Sequence, residues 1–268
     1  MTVLAVLGPD GPVRRDPEQP VLRADDLGVL RGESVFETMR IANGRPAFVD
    51  AHLQRLHRSA ARLAMDLPAG IERLFDAHGV SEGVLRIVCT KGGTAYALVS
   101  DIPAETLRGR EQGVRAITLT LGVPAGLRAQ APWLLGGVKA TSYAVNMATL
   151  RHAHDEGVDD AIWLSTDGEV LEAPTATVAW VKDGVLVTPP AGEVAVLPGT
   201  TVAVALGLLT TPYEVRRGTA DELRAADEVL MLSSVRGIAP VVELDGRGLG
   251  TGPVTAALRD AFEAELLR

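Results

Sequence analysis

The sequence predicts an α+β fold divided into two domains. Alternating apolar and polar residues indicate strands, and apolar residues at helical spacing indicate helices, but the two kinds of segment do not follow each other regularly as in parallel α/β proteins. A length of 268 residues is sufficient for two domains that each bury a core. The polar, charged segment 104–113 predicts a linker, so we expect the smaller domain at residues 1–105 and the larger one at residues 106–268.

Strand and turn signals dominate the N-terminal domain. Asn43-Gly44 interrupts an alternating stretch and favours a tight turn between two strands, and Gly92-Gly93 does the same for a second hairpin. Between these hairpins, Asp50 predicts the N-cap of a helix that ends near Pro68. A shorter helix is expected around residues 70–79.

The C-terminal domain combines strand-like segments with three predicted helices. The strands are expected within residues 114–123, 159–190 and 227–249. The helices are expected within residues 141–158, 200–211 and 253–268. This order contains no regular βαβ repeat, which again favours the α+β class.

The composition and charge argue against several classes of function. Acidic residues outnumber basic ones by 34 to 26, and a net charge of −8 does not suit a nucleic-acid binder, which needs a basic surface. No apolar run approaches the roughly 20 residues that cross a bilayer, and the first residues do not resemble a signal peptide. The single cysteine, Cys89, excludes an internal disulfide and is typical of a reducing compartment. These features together predict a cytoplasmic protein. The histidines lack metal-site spacing, so we expect no metal.

Lysine is rare in this chain, which makes each lysine a candidate for chemistry. Only three of the 26 basic residues are lysines, namely Lys91, Lys139 and Lys182. Unlike arginine, lysine can lose its proton and form a Schiff base. Lys91 and Lys182 lie in turns, whereas Lys139 is flanked by Gly, Val and Ala, a context that favours a desolvated, nucleophilic amine. The alternative is that Lys139 extends its amine from a strand end into water, and the local sequence leaves both possibilities open.

Glu172 is the second candidate. It follows an Asp-Gly turn and stands between apolar residues, where a buried acid would need a partner. A strand-edge glutamate that faces water is the alternative.

Small hydroxyl residues also lie beside a predicted helix start and a strand end. Thr200 and Thr201 follow Gly199 at the start of an apolar helix, where free N–H groups and the helix dipole favour a phosphate. Ser233 and Ser234 lie at a strand end. Either group taken alone is equally compatible with simple capping.

Six segments resemble motifs of one enzyme family, and they occur in the family's order. The family is the class IV, fold-type IV group of pyridoxal 5'-phosphate (PLP) enzymes, which includes branched-chain and D-amino-acid aminotransferases and 4-amino-4-deoxychorismate lyases. The resemblance covers nearly the whole chain and implies the two-domain α+β fold of those enzymes, with PLP as cofactor. The segments are RGESVFETMR (31–40), AHLQRLHRSA (51–60), VKATSYAVNMATL (138–150), DGEVLEAPTATV (167–178), LPGTT (197–201) and SSVRGIAPV (233–241).

The resemblance assigns roles to individual residues. It makes Lys139 the Schiff-base lysine, Glu172 the partner of the pyridine nitrogen and Tyr143 a neighbour of the phenolic oxygen. These assignments agree with the chemistry, because a carboxylate keeps that nitrogen protonated and phosphate favours arginine, hydroxyls and a helix N-terminus. The implied phosphate contacts are Arg55, Thr200, Thr201, Ser234 and the backbone of Val235.

Two residues depart from the family's usual motifs. Thr177 stands where the glutamate motif usually has asparagine, and Thr200 where the phosphate turn usually has isoleucine. Neither position carries the chemistry, so the expected effect is on local packing.

Within the family, residues 24–38 and 139–153 most resemble actinobacterial 4-amino-4-deoxychorismate lyases. This resemblance implies elimination of pyruvate from a small-molecule substrate, giving 4-aminobenzoate for folate synthesis. Thr38 and Tyr96 match positions near the substrate and are the expected catalytic residues besides Lys139.

One position counts against the lyase. Those lyases carry an arginine for a substrate carboxylate where this chain has Thr94, and Lys91 and Arg86 are the candidate replacements.

Two alternatives differ from the lyase in chemistry or in class. An aminotransferase for D- or branched-chain amino acids would use the same Lys139 and would need a keto acid. A non-catalytic binding protein with this fold is disfavoured by the intact Lys139, Glu172 and Arg55. The resemblance further implies a homodimer. The charge and hydropathy predict binding to neither nucleic acid nor a membrane.

Overall fold

The computed structural model describes residues 2–268 and has the α+β composition that the sequence predicts. Its contacts divide the chain into two compact units. Unit 1 extends to Pro103 and also includes Val138–Tyr143 and Leu267. Unit 2 consists of Ala104–Gly137, Ala144–Leu266 and Arg268. No helix within residues 2–268 combines the length and the hydropathy that a membrane crossing requires.

Unit 1 is built on a six-stranded sheet in which every neighbouring pair is antiparallel, in the order β2-β1-β6-β5-β3-β4. One face of the sheet packs against helix α2 in an apolar core that includes Val35, Met39, Leu56 and Leu85. The elements are β1 (Val3–Gly8), β2 (Gly11–Arg15), α1 (Leu27–Leu30), β3 (Ser34–Ala42), β4 (Arg45–Pro46), α2 (Val49–Arg62), a 3-10 helix (Ile71–Leu74), β5 (Gly83–Thr90) and β6 (Ala95–Ser100).

Both predicted hairpins form, but helix α2 differs from its prediction at each end. Its N-cap is Phe48, in the left-handed region at φ 54°, and Asp50 lies in the first turn, where its charge faces the positive end of the helix dipole. The helix ends at Arg62, before Ala64 at φ 49°. The expected helix around residues 70–79 is only a short 3-10 turn.

A buried ionic network joins β3 to α2. The Glu37 carboxylate accepts hydrogen bonds from Arg55 Nε at 2.7 Å and Arg55 Nη2 at 2.7 Å, and it lies 2.6 Å from His52 Nδ1. Glu37 and His52 are fully buried, and Arg55 is 3% exposed. Burial opposes ionisation of Glu37, but the bonds from Arg55 and His52 outweigh it and lower its pKa to about 2. Burial lowers the pKa of His52 despite the attraction of Glu37, so a neutral imidazole donates its Nδ1–H to the carboxylate.

Unit 2 contains an eight-stranded mixed sheet in the order β11-β10-β9-β12-β13-β7-β8, with β14 paired to β13. The pairs β7–β8, β7–β13 and β10–β11 are parallel, and the other pairs are antiparallel. The core surrounds Trp180, Met231 and Val241. The strands are β7 (Val114–Thr120), β8 (Asp160–Leu164), β9 (Thr177–Lys182), β10 (Val185–Thr188), β11 (Tyr213–Val215), β12 (Glu228–Ser233), β13 (Gly237–Leu244) and β14 (Arg247–Gly248).

Residues 104–112 form helix α3 of unit 2, although the sequence analysis expects a linker in this segment. This helix lies against β13, and its Gly109 comes close to Val114 and to the Arg236 side chain. Within 123–134 lie α4 and a 3-10 turn (Pro132–Leu134), neither of which the sequence analysis predicts. The helices are α3 (Ala104–Gln112), α4 (Leu127–Gln130), α5 (Ala144–Asp155), α6 (Ala191–Val194), α7 (Thr200–Leu208), α8 (Ala220–Arg224) and α9 (Pro253–Leu266).

Helix α9 is capped by a carboxylate from the sheet. Glu228, at the start of β12 and 4% exposed, accepts the backbone N–H groups of Val254 at 3.1 Å and Thr255 at 2.7 Å. A Cβ on Gly252 would lie 2.1 Å from the Glu228 Cδ, so only glycine allows this approach. The negative charge at the helix N-terminus therefore fixes the last helix to the sheet.

We expect Glu228→Ala to lower the free energy of unfolding by about 1–3 kcal/mol, because two buried N–H groups lose their acceptor. Urea denaturation measures the change. Glu18→Ala, at an exposed glutamate, is the control and should leave stability unchanged. Equal stability of the two variants would contradict this role for Glu228.

The Glu37 network predicts a loss of stability in acid. The pKa of Glu37 falls from 4.5 to about 2 on folding, so its contribution is present above pH 4.5 and is lost as the pH drops towards 2. The contribution is on the order of 3 kcal/mol at neutral pH. Urea denaturation of the wild type across this range should show the decline, and Glu37→Gln should be less stable at neutral pH with a shallower decline. The exposed Glu72 supplies a control, Glu72→Gln, which should retain the wild-type pH dependence; an unchanged profile in Glu37→Gln would refute the prediction.

Candidate active site

Lys139 is held by backbone pairing with the start of β3. The Phe36 N–H donates to the Lys139 carbonyl at 3.1 Å, and the Thr141 N–H donates to the Ser34 carbonyl at 2.9 Å. The Lys139 N–H donates to Ser59 Oγ of α2 at 3.1 Å. These contacts make Val138–Tyr143 part of unit 1, whereas the sequence analysis assigns this lysine to the C-terminal domain. The difference arises because this short segment joins the β3 edge of the first sheet, a pairing that local periodicity does not reveal.

The Lys139 side chain lies against two aromatic rings of unit 1. Its Nζ is 4.4 Å from the centre of the Phe36 ring and 3.4 Å from Tyr143 Oη. The two rings meet edge to face, with centres 5.0 Å apart. The half-buried amine therefore has an apolar wall on one side and a phenol that can exchange a hydrogen bond with it. This setting is compatible with a reactive amine, which stays a prediction.

Thr38 and Tyr96, the two other predicted catalytic residues, lie on the same face of the first sheet as Phe36. In the strand register Phe36 pairs with Val88, and Val88 pairs with Tyr96, so these side chains point to one side. Thr38 follows two residues after Phe36 on β3 and is half-buried. Burial raises the pKa of the Tyr96 phenol, although the Arg86 guanidinium opposes the shift, so Tyr96 remains a proton donor at neutral pH.

Arg55, a predicted phosphate ligand, is already bound to Glu37 on the opposite side of β3. The sequence analysis did not identify Glu37 or His52 as its partners. Glu37 alternates with Phe36 and Thr38 along β3, and a strand directs alternate side chains to opposite faces. The sequence signal for this network was a glutamate on the apolar face of a strand, where a buried carboxylate needs a partner.

In unit 2, the start of α7 and the loop after β12 bring hydroxyl groups together. Thr200 Oγ1 lies 3.3 Å from Ser234 Oγ, and both Thr200 and Thr201 are buried in the first turn of α7. A Cβ on the N-cap residue Gly199 would lie 2.4 Å from Thr177 Oγ1. Thr177, one of the two departures from the family pattern, therefore packs directly against this helix start. Hydroxyls and a helix N-terminus form a donor set that suits phosphate.

The loop that carries Ser234 and Val235 is held by two arginines that the sequence analysis missed. Arg110 Nη2 donates to the Val235 carbonyl at 2.5 Å, and Arg236 Nη1 pairs with the buried Asp160 at 3.0 Å. Arg110 lies in the segment expected as a linker, so its role could not be inferred from its surroundings in the sequence. Both contacts restrict the backbone next to Ser234.

Glu172 is half-buried in unit 2 and has partners for both carboxylate oxygens. Its Oε2 accepts the Leu197 N–H at 3.0 Å, and its Oε1 lies 3.5 Å from Arg128 Nη1. The sequence analysis did not predict Arg128, because nothing in its local sequence marks it as a partner of Glu172. A carboxylate beside a cation and an N–H group can accept a hydrogen bond from a proton-bearing nitrogen.

No group of three His, Cys, Asp or Glu side chains within residues 2–268 is arranged to hold a metal ion.

Comparisons with known proteins show which family the chain resembles. A family model described as Amino-transferase class IV matches residues 34–244. A protein of Mycobacterium tuberculosis (strain ATCC 25618 / H37Rv) named bifunctional aminodeoxychorismate lyase / D-amino acid transaminase is 38% identical, and the match covers 94% of this chain and 95% of the relative.

Solved structures give the same result for the fold. The PLP-bound form of a hypothetical aminotransferase from Mycobacterium tuberculosis has a TM-score of 0.92 at 35% identity, covering 100% of this chain and 99% of that chain. The fold IV-transaminase CpuTA1 from Curtobacterium pusillum has a TM-score of 0.89 at 33% identity, with coverage of 100% and 99%. The chain thus belongs to the class IV aminotransferase family and is a PLP-dependent enzyme of fold type IV.

Proposed function

We propose that this enzyme is a 4-amino-4-deoxychorismate lyase, which eliminates pyruvate from its substrate and leaves 4-aminobenzoate. The observation that carries the proposal is the 38% identity, over nearly the full length of both chains, to a relative named for this lyase activity. The same relative is also named a D-amino acid transaminase, so we propose transamination of D-amino acids as a second activity.

The donor groups of the described residues suit PLP. Lys139 would supply the amine for the covalent link, and the Glu172 carboxylate suits the pyridine nitrogen. Bound PLP supplies an electron sink for the carbon that carries the substrate's amino group. For the phosphate, we propose the hydroxyl cluster of unit 2, namely Thr200, Thr201, Ser234 and the Val235 backbone. Arg55 of unit 1 is proposed as a phosphate ligand on the family resemblance alone.

Lys139 moves the proton in the proposed reaction. With the substrate bound, the Lys139 Nζ would remove the proton from C4 of the substrate. Tyr143, whose Oη lies 3.4 Å from that Nζ, orients the amine through a hydrogen bond. In transamination the same Nζ moves a proton from the amino-bearing carbon, and a keto acid completes the cycle.

Loss of the C4 proton is followed by cleavage of the C3–O bond. The electron pair of the C4–H bond forms the new ring double bond, and the enolpyruvyl oxygen leaves with the electron pair of the C3–O bond. Protonation of that oxygen gives enolpyruvate, which tautomerises to pyruvate. Thr38 and Tyr96 are the proposed donors to that oxygen, which is consistent with a Tyr96 phenol that stays protonated at neutral pH. Aromatisation of the ring makes the step effectively irreversible.

A homodimer remains a prediction from the family resemblance, and a location in the cytoplasm remains a prediction from composition.

The first expected outcome concerns the reaction. PLP-loaded enzyme incubated with 4-amino-4-deoxychorismate and no keto acid should release pyruvate and 4-aminobenzoate in equal amounts over many turnovers. A second incubation with D-alanine should yield pyruvate only when 2-oxoglutarate is added. Absence of 4-aminobenzoate together with active transamination would refute the lyase and leave the transaminase.

The second expected outcome concerns Lys139. Lys139→Ala should retain the fold but lose the visible absorption of covalently bound PLP and at least about 1,000-fold in turnover, since no other lysine has this setting. Lys182→Ala is the matched control, because Lys182 lies at the end of β9 and forms an ion pair with Asp227. Circular dichroism and absorption spectra measure fold and cofactor, and full turnover by Lys139→Ala would exclude the assignment.

A further inference from the structure

We infer that Arg110 is a positioning residue for the phosphate of PLP and that it acts through the loop that carries Ser234. This inference rests on the proposed function in one respect, because it takes the Ser234 hydroxyl as a phosphate ligand. It goes beyond that proposal by giving a role in cofactor binding to a residue of α3, a helix that supplies none of the proposed ligands.

The loop between β12 and β13 is short. Ser233, the last residue of β12, pairs with Gly237, the first residue of β13, so the loop consists of residues 234–236. Within it, Ser234 Oγ lies 3.3 Å from Thr200 Oγ1 in the first turn of α7. The place of the Ser234 hydroxyl in this cluster therefore depends on the backbone conformation of three residues.

Arg110 binds two successive carbonyls of this loop. Its Nη2 donates to the Val235 carbonyl at 2.5 Å, and its Nε donates to the Arg236 carbonyl at 3.3 Å. Because Nε and Nη2 belong to one planar guanidinium, the spacing of the two donors is fixed. Each peptide unit is also planar, so a side chain that holds two successive carbonyls fixes the orientation of two successive peptide planes. Arg110 thus restrains the backbone that directly follows Ser234.

Helix α3 lies close enough to the sheet for Arg110 to reach the loop. The helix packs against β13, and a Cβ on Gly109 would lie 3.1 Å from Val114 Cγ1, closer than an ordinary van der Waals contact. Glycine therefore suits this position, because a larger residue would have to displace its neighbour. The next residue along the helix is Arg110, whose half-buried side chain spans from α3 to the loop.

A second restraint acts on the side chain of the same loop. Arg236 Nη1 pairs at 3.0 Å with Asp160 Oδ2 of β8, and Asp160 is fully buried. Removal of Arg236 would leave that buried charge without its partner, which is strongly destabilising. Removal of Arg110 releases only the two loop carbonyls described above and leaves the Asp160–Arg236 ion pair in place. Arg110 is therefore the residue whose replacement tests the role of the loop backbone.

The test compares PLP with pyridoxal, which has the same ring and aldehyde but no phosphate. The Kd of each is measured by absorption titration of the full-length apoenzyme for the wild type, Arg110→Gln, Arg110→Lys and Arg108→Gln, a control at an exposed arginine of the same helix. Loss of the two charge-assisted bonds should raise the Kd of PLP roughly 10-fold in Arg110→Gln, and the Kd of pyridoxal should not change. Arg110→Lys keeps the charge without the planar pair of donors and should be intermediate, and it supplies the same comparison if Arg110→Gln does not fold. Arg108→Gln should match the wild type.

A double-mutant cycle measures whether Arg110 acts through Ser234. Ser234→Ala alone should raise the Kd of PLP, because the phosphate loses a hydroxyl. When Ser234 is already alanine, adding Arg110→Gln should raise the Kd of PLP by a smaller factor than it does in the wild type, since the group that Arg110 positions is gone. A role in folding alone would make the two effects additive.

The outcomes separate this inference from the proposed function. A wild-type Kd of PLP in Arg110→Gln, together with a raised Kd in Ser234→Ala, would overturn the role of Arg110 and leave the phosphate site intact. Equal weakening of PLP and pyridoxal, or additive effects in the cycle, would also overturn it. An unchanged Kd of PLP in Ser234→Ala would overturn both this inference and the proposed phosphate ligand. If the Kd values follow the expected pattern but the enzyme releases no 4-aminobenzoate, the proposed lyase reaction alone is refuted.

Discussion

The position of the Lys139 amine depends on three hydrogen bonds of the Lys139–Thr141 backbone. Two of them join this segment to the backbone of β3, and the third joins it to a side chain of α2. Residues 139–141 pair with the beginning of β3, and Ser59 of α2 holds the Lys139 N–H. Because β3 alternates its side chains, Phe36 and Thr38 face the lysine's side of the sheet while Glu37 faces α2. A one-residue slip of β3 would exchange these two sets, so its register fixes the aromatic wall and the buried ionic network together.

In unit 2, charged side chains restrain the candidate site residues. Arg110, Arg236 and Asp160 restrain the loop beside Ser234, and Arg128 with the Leu197 N–H restrains Glu172. The functional side chains themselves come from short turns and strand ends, which have few backbone partners of their own. Orientation is therefore supplied by neighbours that are distant along the chain, the usual way in which proteins hold groups for catalysis.

The sequence predicts the secondary-structure elements and the class of chemistry better than it predicts which side chains interact. The α+β class, both hairpins of the first domain and helices α5, α7 and α9 follow from periodicity and turn residues, since these are local signals. Helix α3 was missed because its residues are polar and show no apolar stripe. The placement of Lys139 in unit 1, the Glu37 network and the contacts of Arg110 and Arg128 depend on long-range pairing, which a single sequence does not encode in any recognisable spacing.

The mutual dependence of Glu37, His52 and Arg55 also constrains how this chain can evolve. Removing any one of the three leaves a buried charge or donor unsatisfied, and the loss is larger than the value of a single contact. A route that replaces the network by apolar residues would therefore pass through poorly folding intermediates. In epistatic terms, the three positions behave as one site, so ancestral and present-day sequences should hold them together or exchange them together.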